Sequence, residues 1–318
     1  LKLTKEKAGW QLADKAMLEA MVQDAAANLA DPKLGSMLLA DGKNRYIKTK
    51  MMHIAVRVLQ DIVAQLAMGQ FVPIAWEAAF GMARGMDGLS VQLEGGKSVM
   101  LHGFIDRIGK AETQNAAYYR IVDYKMRQKK LEPVDIYHGI NWQMPIYMQA
   151  VLNDAAKKYS KRPKPAGMFY TSVREGIELV NDPQAFTEPY QDLKLEGLAL
   201  LTPESIALAE AIESGRGKVL PVYVKKDGSF GKSSGIGEKD YENMQKFLYK
   251  QIQKSLQAVA SGQIAAKPLL YGNTLACDTC DYNALCVTEK AAGLAVNEKP
   301  KLSAEQALAA MAGGEQDE

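Results

Sequence analysis

The chain is short of cysteine and histidine, with three of each in 318 residues. So few thiols exclude a disulfide-built scaffold and point to a reducing compartment. Charge of one sign is also missing: 39 basic residues face 37 acidic ones, for a net +2. The chain as a whole therefore has no electrostatic footprint for nucleic acid, and contact with DNA must rest on a local patch. No apolar run approaches the roughly 18 residues needed to span a bilayer. The opening Leu1-Lys2-Leu3-Thr4-Lys5-Glu6-Lys7 has neither an initiator Met nor a signal-peptide core. The expectation is a cytoplasmic segment of a longer parent chain. The remainder is ordinary, with 47% hydrophobic and 24% charged residues, which excludes a disordered or collagen-like chain.

Hydrophobic period predicts the element order. Residues 4–40 are Ala/Met-rich and helical in pattern, broken at Asp31-Pro32. A helix over 45–69 has Ile54, Val58, Leu59, Ile62, Val63 and Leu66 on one face. Extended segments follow at 71–76, 89–93, 98–109 and 118–125, with a turn at Gly95-Gly96. A long helix is expected over 135–158, a strand over 166–173 and an amphipathic helix over 238–261. Residues 174–237 contain four prolines and read as an insertion with a short helix at 203–214. The domain expectation is a helical lead-in over 1–44, a layered α/β domain over 45–292 and a flexible tail over 293–318 with one possible helix, 303–312.

Two strands each carry an Asp among apolar residues: Gly103-Phe104-Ile105-Asp106-Arg107 and Ile121-Val122-Asp123-Tyr124-Lys125. A buried carboxylate costs several kcal/mol unless it is paired or metal-bound. If the polar link turns near Gln114-Asn115, Asp106 and Asp123 become cross-strand neighbours, about 5 Å apart at Cβ. Period-two alternation puts Lys125 on the face of Asp123. Like charges so close repel, and a hard divalent cation, Mg²⁺ or Mn²⁺, relieves the conflict. The same spacing also suits a surface hairpin on which Lys125 is the salt-bridge partner of both acids. Glu77 adds a third acid in apolar surroundings. Gln143 and Tyr147, four apart, add a polar pair on one helical face. Cys277, Cys280 and Cys286 form a compact thiolate array suited to part of an Fe–S or Zn site.

Glu77, Gly103-x-x-Asp106, Asp123-x-Lys125 and Gln143-x-x-x-Tyr147, in that order and spacing, resemble the motifs of the RecB-type PD-(D/E)XK nucleases, and within them the AddB-like nuclease domains of bacterial helicase–nucleases. The resemblance runs over about residues 45–290. It implies a restriction-endonuclease-like α/β fold, a mixed central sheet flanked by helices. It also implies a metal-dependent DNA exonuclease acting in double-strand-break processing beside an AddA-like helicase–nuclease subunit. By the same resemblance Glu77, Asp106, Asp123 and the Tyr124 backbone carbonyl surround the metal, Lys125 positions the attacking water, and Gln143 and Tyr147 complete the site. The three cysteines would join a fourth, far upstream in the parent, to hold a [4Fe–4S] cluster that is incomplete here. Arg127, Lys129 and Lys130 are the nearest candidates for a DNA-binding patch, which Lys157, Lys158, Lys161, Arg162 and Lys164 would extend. Two other readings stay open: a non-catalytic DNA-binding scaffold of such a complex, and a stand-alone RecB-like Fe–S exonuclease. Gly231-Lys232-Ser233 ends like a phosphate-binding loop, but Lys226 stands where its first glycine belongs, and no ATP site is read.

Overall fold

A computed structural model describes residues 13–28, 41–173, 194–263, 265, 267–282 and 296–313. The centre is a mixed sheet of six strands. In chain order they are β1 (Val72–Phe80), β4 (Gly103–Glu112), β5 (Ala116–Lys125), β6 (Arg162–Ser172), β7 (Glu196–Leu200) and β10 (Gly235–Ile236), and in the sheet they lie in that same order. Strands β1, β4 and β5 form an antiparallel meander. β6 then joins β5 in parallel, β7 is antiparallel to β6, and β10 is parallel to β7. The hairpin β2 (Leu89–Gln92) and β3 (Ser98–Leu101) stands apart, as does the short pair β8 (Gly215–Arg216) and β9 (Tyr223–Val224).

Burial on both sides explains why β5 is almost continuously apolar. On one face Tyr119 and Ile121 meet Met144, Met148 and Val151 of the helix Gln143–Lys158. On the other face Val122 and Tyr118 pack with Phe169, Ala199 and the Val219–Leu220 segment. Farther along that second face, Tyr124 and Trp76 meet the helix Gly42–Ala67, which in turn carries the helix Lys15–Asn28. In chain order the helices are α1 (Lys15–Asn28), α2 (Gly42–Ala67), α3 (Pro133–Tyr137), α4 (Gln143–Lys158), α5 (Pro203–Ala209), α6 (Glu238–Ala260) and α7 (Ala304–Gly313). None is long and apolar enough to cross a membrane among the described residues.

Three expectations change. The single helix over 135–158 is two, because Gly139 takes φ +79 and ends α3 before α4 begins. Residues 174–237 are more than an insertion. Their later part returns to the sheet twice, as β7 and β10, since the short apolar run Leu198-Ala199-Leu200 is buried within it. The helix expected at 303–312 forms, as α7, but it is packed and not part of a flexible tail, with Ala307 and Met311 buried in the main core. Beside α7, β13 (Asn297–Lys299) lies parallel to β11 (Leu269–Tyr271), which also pairs with β12 (Thr274–Leu275).

His138 ties this C-terminal segment down. Its Nε2 donates to the Pro300 carbonyl at 2.9 Å, and its ring packs against Tyr137 and Tyr271. Burial holds its pKa below the ordinary value, helped by Lys299, while the Pro300 bond and Asp135 oppose the shift. The native state thus favours neutral His138. Its contribution is complete above the unfolded value of about 6.5 and is lost as pH falls through the depressed folded value. Proteolysis of the 296–313 segment should be faster at about pH 5.5 than at about pH 7.5. The difference should vanish in His138→Phe; equal rates at both pH values in the unmodified chain would contradict the assignment.

Candidate active site

The β4–β5 hairpin sets the first two acids. Its ladder pairs Ile108 with Ile121 and Arg107 with Val122, so one further step puts Asp106 opposite Asp123. The ladder stops at Arg107, and the next backbone donor is taken by a side chain: the Tyr124 N–H donates to Asp106 Oδ2 at 2.7 Å. On the other edge of β4, the flanking pairs Trp76–Arg107 and Ala78–Ile105 put Glu77 level with Asp106. On the far side of β5, Asp123 is paired with Tyr170 of β6. Glu77, Asp106, Asp123 and Tyr170 therefore form one row across four strands.

Asp123 is 3% exposed, and its Oδ2 lies 2.6 Å from Lys125 Nζ. The contact is a close ion pair whose angles are not those of a hydrogen bond. Burial pushes the Asp106 carboxyl above its ordinary range, and the charge of Asp123 adds to this; the Tyr124 N–H and Lys125 pull the other way. Glu77 behaves differently. It is exposed, and its φ of +46 makes it the one described non-glycine residue in the left-handed region. The apolar neighbours noted in the sequence do not keep it from solvent, because the backbone turn breaks the alternation of β1. Among the described residues no three His, Cys, Asp or Glu side chains gather around one point. What converges is a buried carboxylate, Asp123, a half-buried one, Asp106, and a lysine, and Glu77 stands at the outer end of the row. Two hard oxygen donors in mutual repulsion, beside an accessible third, fit a divalent cation such as Mg²⁺.

Helix α4 supplies the polar pair: Gln143 Nε2 donates to the Tyr147 hydroxyl at 3.0 Å. Tyr147 meets Phe80 edge-on at 5.5 Å, directly over Gly103. A Cβ at Gly103 would lie 2.9 Å from the Phe80 ring and 3.4 Å from that of Tyr147, so the glycine lets the helix approach the end of β4.

Two residues of the site, Tyr170 and Asn141, carry no signal in the sequence pattern. Tyr170 is 1% exposed and donates to Asn141 Oδ1 at 3.0 Å. Its ring centroid lies 5.7 Å from Lys125 Nζ and 4.9 Å from Lys129 Nζ, so one aromatic ring serves two ammonium groups. Only the parallel pairing of β5 with β6 brings it there. Partial burial, with Lys125 nearby, lowers the pKa of Lys129. Arg127 and Lys130 flank it, exposed just beyond the end of β5. Among the described residues these three form no ion pair, whereas Lys157, Lys158, Lys161 and Lys164 are each bound to a carboxylate. Arg162, exposed and also without an ion pair among the described residues, starts β6 opposite Ala116, at the far end of β5 from Lys125.

The cysteines are only partly described. Cys277 is half-buried and Cys280 exposed, in a turn where the Cys280 N–H donates to the Cys277 carbonyl. Cys286 lies outside the described residues.

Comparison with known proteins places the chain in a family. Three bacterial proteins, each named as a subunit of an ATP-dependent helicase/deoxyribonuclease, are similar to the chain. The one from Caldanaerobacter subterraneus is 28% identical over 90% of the chain, and the one from Bacillus subtilis 29% over 96%. That from Clostridium tetani is 28% identical over 87%. The chain spans about a quarter of the length of these curated relatives, 25%, 26% and 24% respectively. The profile of the PD-(D/E)XK nuclease superfamily matches residues 4–287, and with its mixed sheet and the acid row at the end of β4 and β5, the chain belongs to that superfamily.

Proposed function

We propose that this chain is a Mg²⁺-dependent deoxyribonuclease domain that hydrolyses phosphodiester bonds as an exonuclease. The observation that carries the reading is the pairing of Asp106 and Asp123 at the open end of a hairpin, with Lys125 on the same face. Asp106, Asp123 and the Tyr124 carbonyl would hold the cation, with Glu77 closing the set. When bound, such a cation offsets charge on the phosphoryl oxygens and makes water more acidic. Lys125, held between Asp123 and the Tyr170 ring, aims its ammonium at the attacking water or the developing charge. Gln143 and Tyr147 lend a donor and an acceptor to orient that water. Arg127, Lys129 and Lys130 bind the DNA backbone as it enters.

The relatives are named as subunits of a helicase/deoxyribonuclease, which supports a place for this chain in such a complex. Within it we assign the chain to double-strand-break processing in recombinational repair, beside an AddA-like subunit in the cytoplasm. Cys277, Cys280 and Cys286 would then contribute three ligands of an Fe–S cluster.

The purified chain should release nucleotides from linear DNA with Mg²⁺ or Mn²⁺ and leave covalently closed circles intact. Chelation by EDTA should abolish release and added Mg²⁺ should restore it. Failure to cleave with either metal, alone and with the AddA-like subunit, would sink the reading.

A further inference from the structure

Each acid of the row has a chain neighbour whose side chain lies on the reverse face of the sheet, and those neighbours meet. Trp76 precedes Glu77, Arg107 follows Asp106, and Tyr124 follows Asp123. Arg107 pairs directly with Trp76 on β1 and with Val122 on β5. Its guanidinium carbon lies 5.7 Å from the Trp76 ring centroid and 5.6 Å from that of Tyr124, and its Nη2 donates to Gln65 Oε1 on α2 at 3.2 Å. The residue is 2% exposed, its Nη1 is buried without an acceptor, and no carboxylate pairs with it among the described residues. A second buried arginine, Arg120, shares this face and stacks on Phe71; burial and the charge of Arg107 pull its pKa down to about 9.

An uncompensated buried cation is costly, and a core that needed only packing would be better served by Leu or Met. An arginine offers what those residues lack: a rigid plane that contacts aromatic rings while donating at its edge. Here that plane touches an aromatic ring from each strand flanking β4. The backbone is weakest at the same place. Glu77 takes a left-handed φ within β1, the β4–β5 ladder stops at Arg107, and the Tyr124 N–H is bonded to a carboxylate instead of a strand carbonyl.

We propose that Arg107 is a positioning residue for the acid row: joined to Trp76, Tyr124 and Gln65, it fixes β1, β4 and β5 against one another and so sets the spacing of Glu77, Asp106 and the Tyr124 backbone. This rests on the metal reading above for its consequence, but the clamp itself is a property of the metal-free protein.

The test uses Arg107→Met and Arg107→Lys in the 318-residue chain; the lysine keeps the charge and guards against a variant that does not fold. Without metal, the Tyr124 amide should exchange about 10-fold faster or more in both, while Ile121 in the ladder is unchanged. Calorimetry without DNA should show Mn²⁺ bound about 10-fold more weakly. Unchanged exchange at Tyr124, or exchange rising equally through the sheet, overturns the clamp. Mn²⁺ affinity that is unchanged or tighter overturns the link to the acid row. If the unsubstituted chain binds no Mn²⁺, the metal reading fails instead, and Tyr124 exchange alone decides the clamp.

Discussion

Asp123→Asn is expected to reduce metal-dependent DNA cleavage by at least about 10³-fold with little change in fold. Asp123 is nearly inaccessible, yet it sits level with Asp106 and within 2.6 Å of the Lys125 ammonium. The amide keeps the shape and removes the charge. That weakens the hold on a cation and leaves Lys125 without its counter-ion. Lys125→Met should be as inactive for a different reason. It removes the ammonium that competes for Asp123, so Mn²⁺ binding should be undiminished or tighter while cleavage is lost. Single-turnover cleavage at saturating Mn²⁺, with calorimetry on the same samples, separates the two substitutions. A wild-type rate in either variant would remove that residue from the site, and weakened Mn²⁺ binding in Lys125→Met would contradict the competition between ammonium and cation.

The largest effect on stability is expected away from the acids. Glu210 is 6% exposed and accepts three successive backbone N–H groups, from Lys218 at 2.6 Å, Val219 at 3.0 Å and Leu220 at 3.0 Å. One carboxylate thus satisfies the turn that carries Val219 and Leu220 into the core beside Val122 and Phe169. Gly217 belongs to the same turn, since a Cβ there would lie 2.6 Å from the Leu220 oxygen and 2.9 Å from Glu210 Oε2. Glu210→Ala leaves these donors unmet in an apolar setting and should cost about 4 kcal/mol, a fall in Tm on the order of 5–10 °C. Glu210→Gln retains one acceptor oxygen and should cost about half as much. Thermal melts of both variants provide the check. A loss within about 1 kcal/mol for the alanine would mean that water replaces the carboxylate.

How much of this is legible in the sequence depends on the range of the interaction involved. The facing of Asp106 and Asp123 is local information. Two apolar strands joined by a short polar link admit few registers; a turn near Gln114-Asn115 gives the one observed, Arg107 opposite Val122. The side shared by Gln143 and Tyr147 is equally local, being fixed by helical spacing. The break at Gly139 is signalled by the glycine itself but masked, because the apolar pattern continues on both sides.

Other features have no local signal. Tyr170 reaches the lysines only through a parallel pairing separated from β5 by the whole of α4. The run at 196–200 looks like a loop until its place in the sheet is known. Glu77 is exposed because of one backbone angle that no side-chain pattern encodes. Arg107 reads as an ordinary charge after an Asp, and only the stacking of three strands under α2 gives it Trp76, Tyr124 and Gln65 as neighbours. By itself, then, the sequence determined which acids and which lysine share a hairpin face, since strand period and turn length act over a few residues. The tertiary structure alone decided what surrounds them, since long-range burial chooses among pairings that local propensity leaves equal.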